Sequence, residues 1–98
     1  MISSKDRAYL KRVISVESPV YQVGKDGLNQ TNIDGINQAL TARELIKINI
    51  LQNCDMSAKE VANVLQETLD CEIVGVIGRK VIIYKFNPKN KTHVLNNK

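Results

Sequence analysis

The chain has 98 residues, enough for one small domain and no second core. A fold of this length buries about 60–65% of its unfolded surface, so its stability is modest. The net charge of +4 favours anionic partners such as RNA, DNA or an acidic membrane surface.

The N-terminal stretch "MISSKDRAYLKR" has charges where a secretory signal would need its apolar core. It reads as a helix over 4–14. Ser3 is its cap, Asp6 stands in capping-box position, and Leu10, Val13 and Ile14 form the apolar stripe. Lys5, Arg7, Lys11 and Arg12 leave the rest of that helix strongly positive. Pro19 blocks its continuation. Residues 20–24, "VYQVG", read as a short strand ending in the turn Gly24-Lys25-Asp26-Gly27.

A second helix is expected over 32–42, capped by Thr31, with Ile33, Ile36 and Leu40 on one face. Gly35 weakens it by up to about 1 kcal/mol relative to Ala. "ELIKINIL", 44–51, alternates as a strand, with Ile46, Ile48 and Ile50 inward and Lys47 and Asn49 on a wet face. Ser57 and Glu60 make a capping box for a third helix over 58–70, whose stripe is Val61, Val64, Leu65, Thr68 and Leu69. "EIVGVIG" and "KVIIYKF" are two strands joined by a tight hairpin at Gly78-Arg79. Residues 1–86 form the domain, and 87–98, rich in Asn and Lys, read as a basic, frayed tail. The order α-β-α-β-α-β-β points to an α/β (α+β, two-layer) domain, its sheet covered by helices on one or both faces.

Chemistry is sparse. No apolar run approaches the roughly 20 residues of a membrane-spanning helix, and the chain is expected in the cytoplasm. There Cys54 and Cys71, lone thiols whose sequence positions leave a bridge between them open, are expected as reduced, partly buried small hydrophobes. The lone histidine, His93, lies in the tail, and no cluster of metal ligands appears. The chain is read as a non-enzyme without a cofactor or metal.

The Gly24–Gly27 pair carries more. It follows a strand and precedes a helix, where free amides and the helix dipole favour an anion. Glycines let the backbone approach a phosphate without an intervening Cβ, and Lys25 adds a cation. The RNA-binding KH module clamps backbone nucleotides with a G-x-x-G loop. An ordinary turn needing positive φ explains the pair equally well, and Asp26 would repel a phosphate unless it points away. The other basic groups are Lys11 and Arg12, Arg79 and Lys80, then Lys85, Lys89 and Lys91. Tyr9, Tyr21, Tyr84 and Phe86 are the whole aromatic supply, so contact through backbone and shape is favoured over base stacking.

Three motifs, "QVGKDGLN", "ARELIKINIL" and "VGVIGRKVIIYK", stand in the order and spacing of the CRM domain, and the chain resembles its single-domain, bacterial YhbY-like form over about residues 5–86. The CRM domain is the small RNA-binding module of chloroplast splicing factors. The resemblance implies a fold similar to the C-terminal domain of translation initiation factor three, a four-stranded mixed sheet packed against helices. It also implies RNA binding through the glycine loop and adjacent basic surfaces, and association with the precursor of the large ribosomal subunit. Carried onto this chain, the loop is Gly24, Lys25, Asp26 and Gly27 and the strand-end basic residue is Lys85; Lys11, Arg12, Arg79 and Lys80, from the basic groups above, complete the expected RNA-binding set. The chain departs from the family pattern where "SVES" replaces a common Ala-His, Asp26 a common Asn, and Lys85 a common Arg. The last change loses the planar fork that grips phosphate bidentately. A monomer bound to ribosomal RNA or a pre-large-subunit particle is the expectation. The competing reading is a protein-interaction adaptor on such particles.

Overall fold

Residues 2–95 are described by the computed structural model. Helix α1, Ser4–Ile14, starts where Ser3 accepts a hydrogen bond from the Asp6 amide at 3.0 Å. Strand β1, Tyr21–Val23, leads through the glycine turn into α2, Gln30–Arg43. Strand β2 is Leu45–Ile50, α3 is Ala58–Leu69, and β3 (Glu72–Ile77) and β4 (Lys80–Tyr84) form the final hairpin. In that hairpin Gly78, with φ +59, takes the first of two central positions, as a II′ turn requires.

The sheet order is β1-β2-β4-β3. β1 and β2 are parallel neighbours joined through α2, while β4 runs antiparallel to both β2 and β3. Three strands therefore point their carboxyl ends the same way, and β4 enters between the last two from that same end.

Alternation along the strands splits the core in two. Val23, Ile46, Ile48, Ile50, Val81 and Ile83 face α2 and α3. Leu45, Val74, Ile82 and Tyr84 face the other way, against Leu10 and Ile14 of α1. The helices thus cover both faces and make three layers where two were expected. Each of these buried aliphatic side chains contributes about 1.5–3 kcal/mol.

Four local expectations are revised. The α2 cap is Asn29, which holds extended backbone and accepts from the Asn32 amide at 2.8 Å, so the helix begins before Thr31. Asn caps at least as well as Thr, and sits where the chain leaves the turn. Thr68 is exposed, and Ala62 rather than Thr68 completes the buried face of α3. Lys47 is only 8% exposed, because the connection after α1 lies over it; its Nζ donates to the Glu17 carbonyl at 2.8 Å. Finally, segment 87–95 does not trail off. The Asn87 amide donates to Glu44 Oε2 (2.9 Å), the Val94 amide to Oε1 (3.2 Å), and Leu95 is buried beside Leu10 and Tyr84. Residues 96–98 of the expected tail lie outside the described residues.

Gly35, a weak helix former inside α2, has a packing reason. A Cβ there would come within 2.7 Å of Tyr21 Cε2, so the missing side chain is what lets Tyr21 lie against the helix. From that position the Tyr21 hydroxyl donates to Asn32 Oδ1 at 2.9 Å.

Candidate nucleic-acid interface

In open sheets of this kind, ligands bind outside the carboxyl ends of the strands. At that end β1 runs into the glycine turn, β2 into residues 51–57, and β3 into the Gly78-Arg79 hairpin. Both α2 and α3 begin there as well, which places two positive helix dipole ends on the same side.

The glycine turn is tightly tied. The Gly27 amide donates to the Gly24 carbonyl at 3.0 Å, and the Leu51 amide to the Val23 carbonyl at 2.8 Å. The Asn32 side-chain amide donates to the Gly27 carbonyl, so the Tyr21–Asn32 bond also braces the loop. Gly27 has φ +64, a conformation that costs an L side chain roughly 1–2 kcal/mol. Gly24 is less demanding, since a Cβ would meet Leu51 Cδ1 at 3.3 Å and Asn53 Oδ1 at 3.4 Å. The turn reading holds at Gly27, whose φ is positive, and that turn stands at a helix start with Lys25 and Asp26 exposed at its tip.

Arg79 and Lys80 join this loop. The Ile50 amide donates to the Arg79 carbonyl at 2.7 Å, and Arg79 Nη1 donates to the Leu51 carbonyl at 3.4 Å, beside Gly24. Lys80 pairs with Ile77 and Asn49, and its strand position puts it on the α1 side of the sheet with Ile82. Lys11 reaches the same face, since its Cε lies 2.8 Å from where a Cβ on Gly75 would stand. Gly75 opposes Ile82, two residues from Lys80 and one strand across, which puts the two positions roughly 8 Å apart. Lys25, Arg79, Lys80 and Lys11 thus follow one end of the sheet and the adjoining part of one face.

Arg12 and Lys85 do not join them. Arg12 is about 200° around α1 from the buried Leu10, on the outward side, with its guanidinium 5.6 Å from the Tyr9 ring centroid. Lys85 is past the far end of β4, roughly 17 Å from Lys80 at about 3.3 Å per residue. Its Nζ donates to the Leu69 carbonyl at 2.8 Å, capping α3. Two residues outside the expected RNA-binding set lie beside Lys80. Gln22 and Asn49 oppose each other there; alternation places Asn49 on the wet face, and strand register adds Gln22.

The titratable groups elsewhere are structural in kind. Burial is the main influence raising the Cys71 thiol to about 11, which removes it as a nucleophile at neutral pH. His93 Nδ1 meets Glu44 Oε2 at 2.6 Å, but at the opposite end of the sheet from the loop. Burial alone would raise the Glu44 carboxyl; the bonds from Asn87, His93 and Val94 and the nearby His93 charge outweigh it and hold Glu44 below the ordinary carboxylate value. Among the described residues no group of three or more His, Cys, Asp or Glu is placed to hold a metal ion. What the loop end offers chemically is amide donors, a guanidinium and ammonium groups, which are means of holding phosphate.

Comparison with known proteins bears on the family and the fold. The CRS1 / YhbY (CRM) domain matches residues 2–85. The probable RNA-binding protein YqeI of Bacillus subtilis (strain 168) is 37% identical over 91 residues, covering 93% of this chain and 95% of that protein. The solution structure of the hypothetical protein SAV1595 from Staphylococcus aureus, described as a candidate RNA-binding protein, superimposes with a TM-score of 0.78 at 38% identity, covering 93% of this chain and 95% of that one. With its motifs in register and its sheet of the same design, the chain belongs to the CRS1/YhbY (CRM) domain family.

Proposed function

We propose that this chain is a non-catalytic, monomeric RNA-binding protein of the cytoplasm that grips RNA by its sugar–phosphate backbone at the carboxyl end of the sheet. One observation carries the reading: the glycine turn, Arg79, Lys80 and the starts of α2 and α3 share that end. The names of its relatives, both linked to RNA binding, support it. Within the cell the bound RNA is that of the precursor large ribosomal subunit, and the protein acts in its assembly, as the family resemblance implies.

Each phosphate neutralised on single-stranded RNA contributes about 0.7 to the salt slope. Four contacts, by Lys25, Arg79, Lys80 and Lys11, give a slope near −3 and roughly a 50-fold loss of affinity between 50 and 200 mM salt. Fluorescence anisotropy with a single-stranded ribosomal RNA fragment measures this. An affinity that is flat over that range overturns the electrostatic mechanism.

A second reading is favoured by one surface feature. Val76 and Ile77, 40% and 56% exposed, lie on the edge strand β3, where a partner protein strand could add. Co-sedimentation with ribosomal particles that survives complete RNA digestion selects this adaptor role over direct RNA contact.

A further inference from the structure

Glu44 organises the end of the molecule opposite the glycine loop. It is 1% exposed and holds φ +67, a conformation that closes α2 through its amide, which donates to the Leu40 carbonyl at 2.7 Å. Its carboxylate accepts from Asn87, His93 and Val94, which fixes segment 87–95 in one course. That course brings Lys91, Thr92 and His93 alongside Arg43, around an open hollow of about 370 Å³.

The lining of this hollow is one-sided in charge. Arg43 and Lys91 are exposed, and neither has a carboxylate partner among the described residues. Thr92 adds a hydroxyl and His93 an imidazole, while no carboxylate lines the space. Glu44 lies beneath it with both oxygens already engaged. The negative end of the α2 dipole is blunted, because the Thr41 carbonyl is taken by the Asn87 and Asn90 side-chain amides at 3.0 and 3.3 Å. A second groove of about 290 Å³ borders Arg43, Ser18 and Val20 and continues the hollow toward β1; Glu17 is its one acidic member. β1 in turn runs into the glycine loop.

We infer that the hollow formed by Arg43, Lys91, Thr92 and His93 is a second phosphate site, which takes a phosphodiester of the same RNA that the glycine loop holds. The inference rests on the RNA-binding reading above and adds to it the length of RNA engaged. The two sites are separated by the six residues of β2, roughly 20 Å at about 3.3 Å per residue. A stacked strand advancing about 3.4 Å per nucleotide needs six or more nucleotides to touch both.

The test compares the wild-type protein with the Arg43→Ala/Lys91→Ala double variant on single-stranded RNAs of 4 and 20 nucleotides, by anisotropy over a salt series. Both side chains are exposed, so the variant retains its fold, which its melting temperature checks. On the 20-mer the variant is expected to bind about 5–10-fold more weakly at moderate salt, with a salt slope smaller by about 1.4 for two lost contacts. On the 4-mer, too short to reach past the loop, the two proteins bind alike. A parallel titration with inorganic phosphate, followed by the backbone amide signals of Lys91 and Thr92, shows whether the hollow takes the free ion. Phosphate-induced shifts with unchanged RNA binding mean a free-anion site and overturn the inference. Equal affinity and slope on the 20-mer overturn it while leaving the loop site standing, and equal losses on both lengths overturn it as a general charge effect. Wild-type protein that binds neither RNA removes the RNA-binding reading and this inference together.

Discussion

Replacing Glu44 by Gln keeps the side chain's volume and shape but leaves it one acceptor oxygen where there are now two. The better orientation keeps that oxygen toward Asn87 and His93, the shorter pair at 2.9 and 2.6 Å, and turns the new amino group onto the Val94 amide. One half-buried donor, the Val94 amide, then lacks its acceptor, at about 1–3 kcal/mol, and the two remaining bonds lose their charge assistance, at about 1 kcal/mol each. The loss has a ceiling. Once it exceeds what segment 87–95 gains by packing, the segment lets go and Leu95 returns to water, a matter of about 2–3 kcal/mol. The expected destabilisation is therefore about 2–3 kcal/mol, or a melting temperature lower by about 10–20 °C for a domain of this size.

Thermal unfolding followed by circular dichroism at pH 7 measures that change. The acid dependence is the sharper half of the test. The folded Glu44 carboxyl ionises below its ordinary value of 4.5, so its contribution is present above that pH and disappears as pH falls through the lower, folded value. The gap between wild type and Glu44→Gln should close in that acid window. A Glu44→Gln protein within 0.5 kcal/mol of wild type at pH 7, by the order-of-magnitude costs above, refutes the argument. So does a gap that persists unchanged in acid.

Gly35→Ala should destabilise the fold by about 1–3 kcal/mol despite Ala's better helix propensity, because the new Cβ meets Tyr21 at 2.7 Å; a denaturant midpoint at or above wild type contradicts this. Gly27→Ala should cost roughly 1–2 kcal/mol from positive φ alone, whereas Gly24→Ala should cost less, since Leu51 and Asn53 need move only slightly; equal denaturant midpoints for the two variants count against it. Lys85→Met should lower stability by about 0.5–1.5 kcal/mol through the lost bond to the Leu69 carbonyl. Its RNA affinity should stay within twofold of wild type while Arg79→Ala and Lys80→Ala weaken binding, and the opposite ranking moves the interface to the far end of the sheet.

Most elements were legible because each carries its own local signature. The Ser57/Glu60 box starts α3 where expected, and the isoleucines of β2 all turn to one side of the sheet. That the glycine turn and Arg79-Lys80 share one end was not legible, because it depends on β1, β2 and β3 running the same way, which only the sheet order shows. Lys47 misled because alternation tells which side of a strand a residue takes and not what later covers it. Glu44 was invisible because its partners lie 43, 49 and 50 residues further along the chain. Lys85 was marked by the strand-end motif of the resemblance, and only the third dimension shows the carbonyl of Leu69 that its ammonium meets.

The rim of β3 is one of the two outer edges of the sheet, β1 being the other, and with Val76 and Ile77 bare it would invite a second molecule to stack against it. The first helix stands guard there. Arg7 occupies the carbonyl of Ile73, Lys11 lies across Gly75, and the register shift between Ile73 and Gly75 interrupts a clean template. Trimming that helix away would thus expose more than core: it would leave a sticky border open to clumping or self-pairing of the shortened protein.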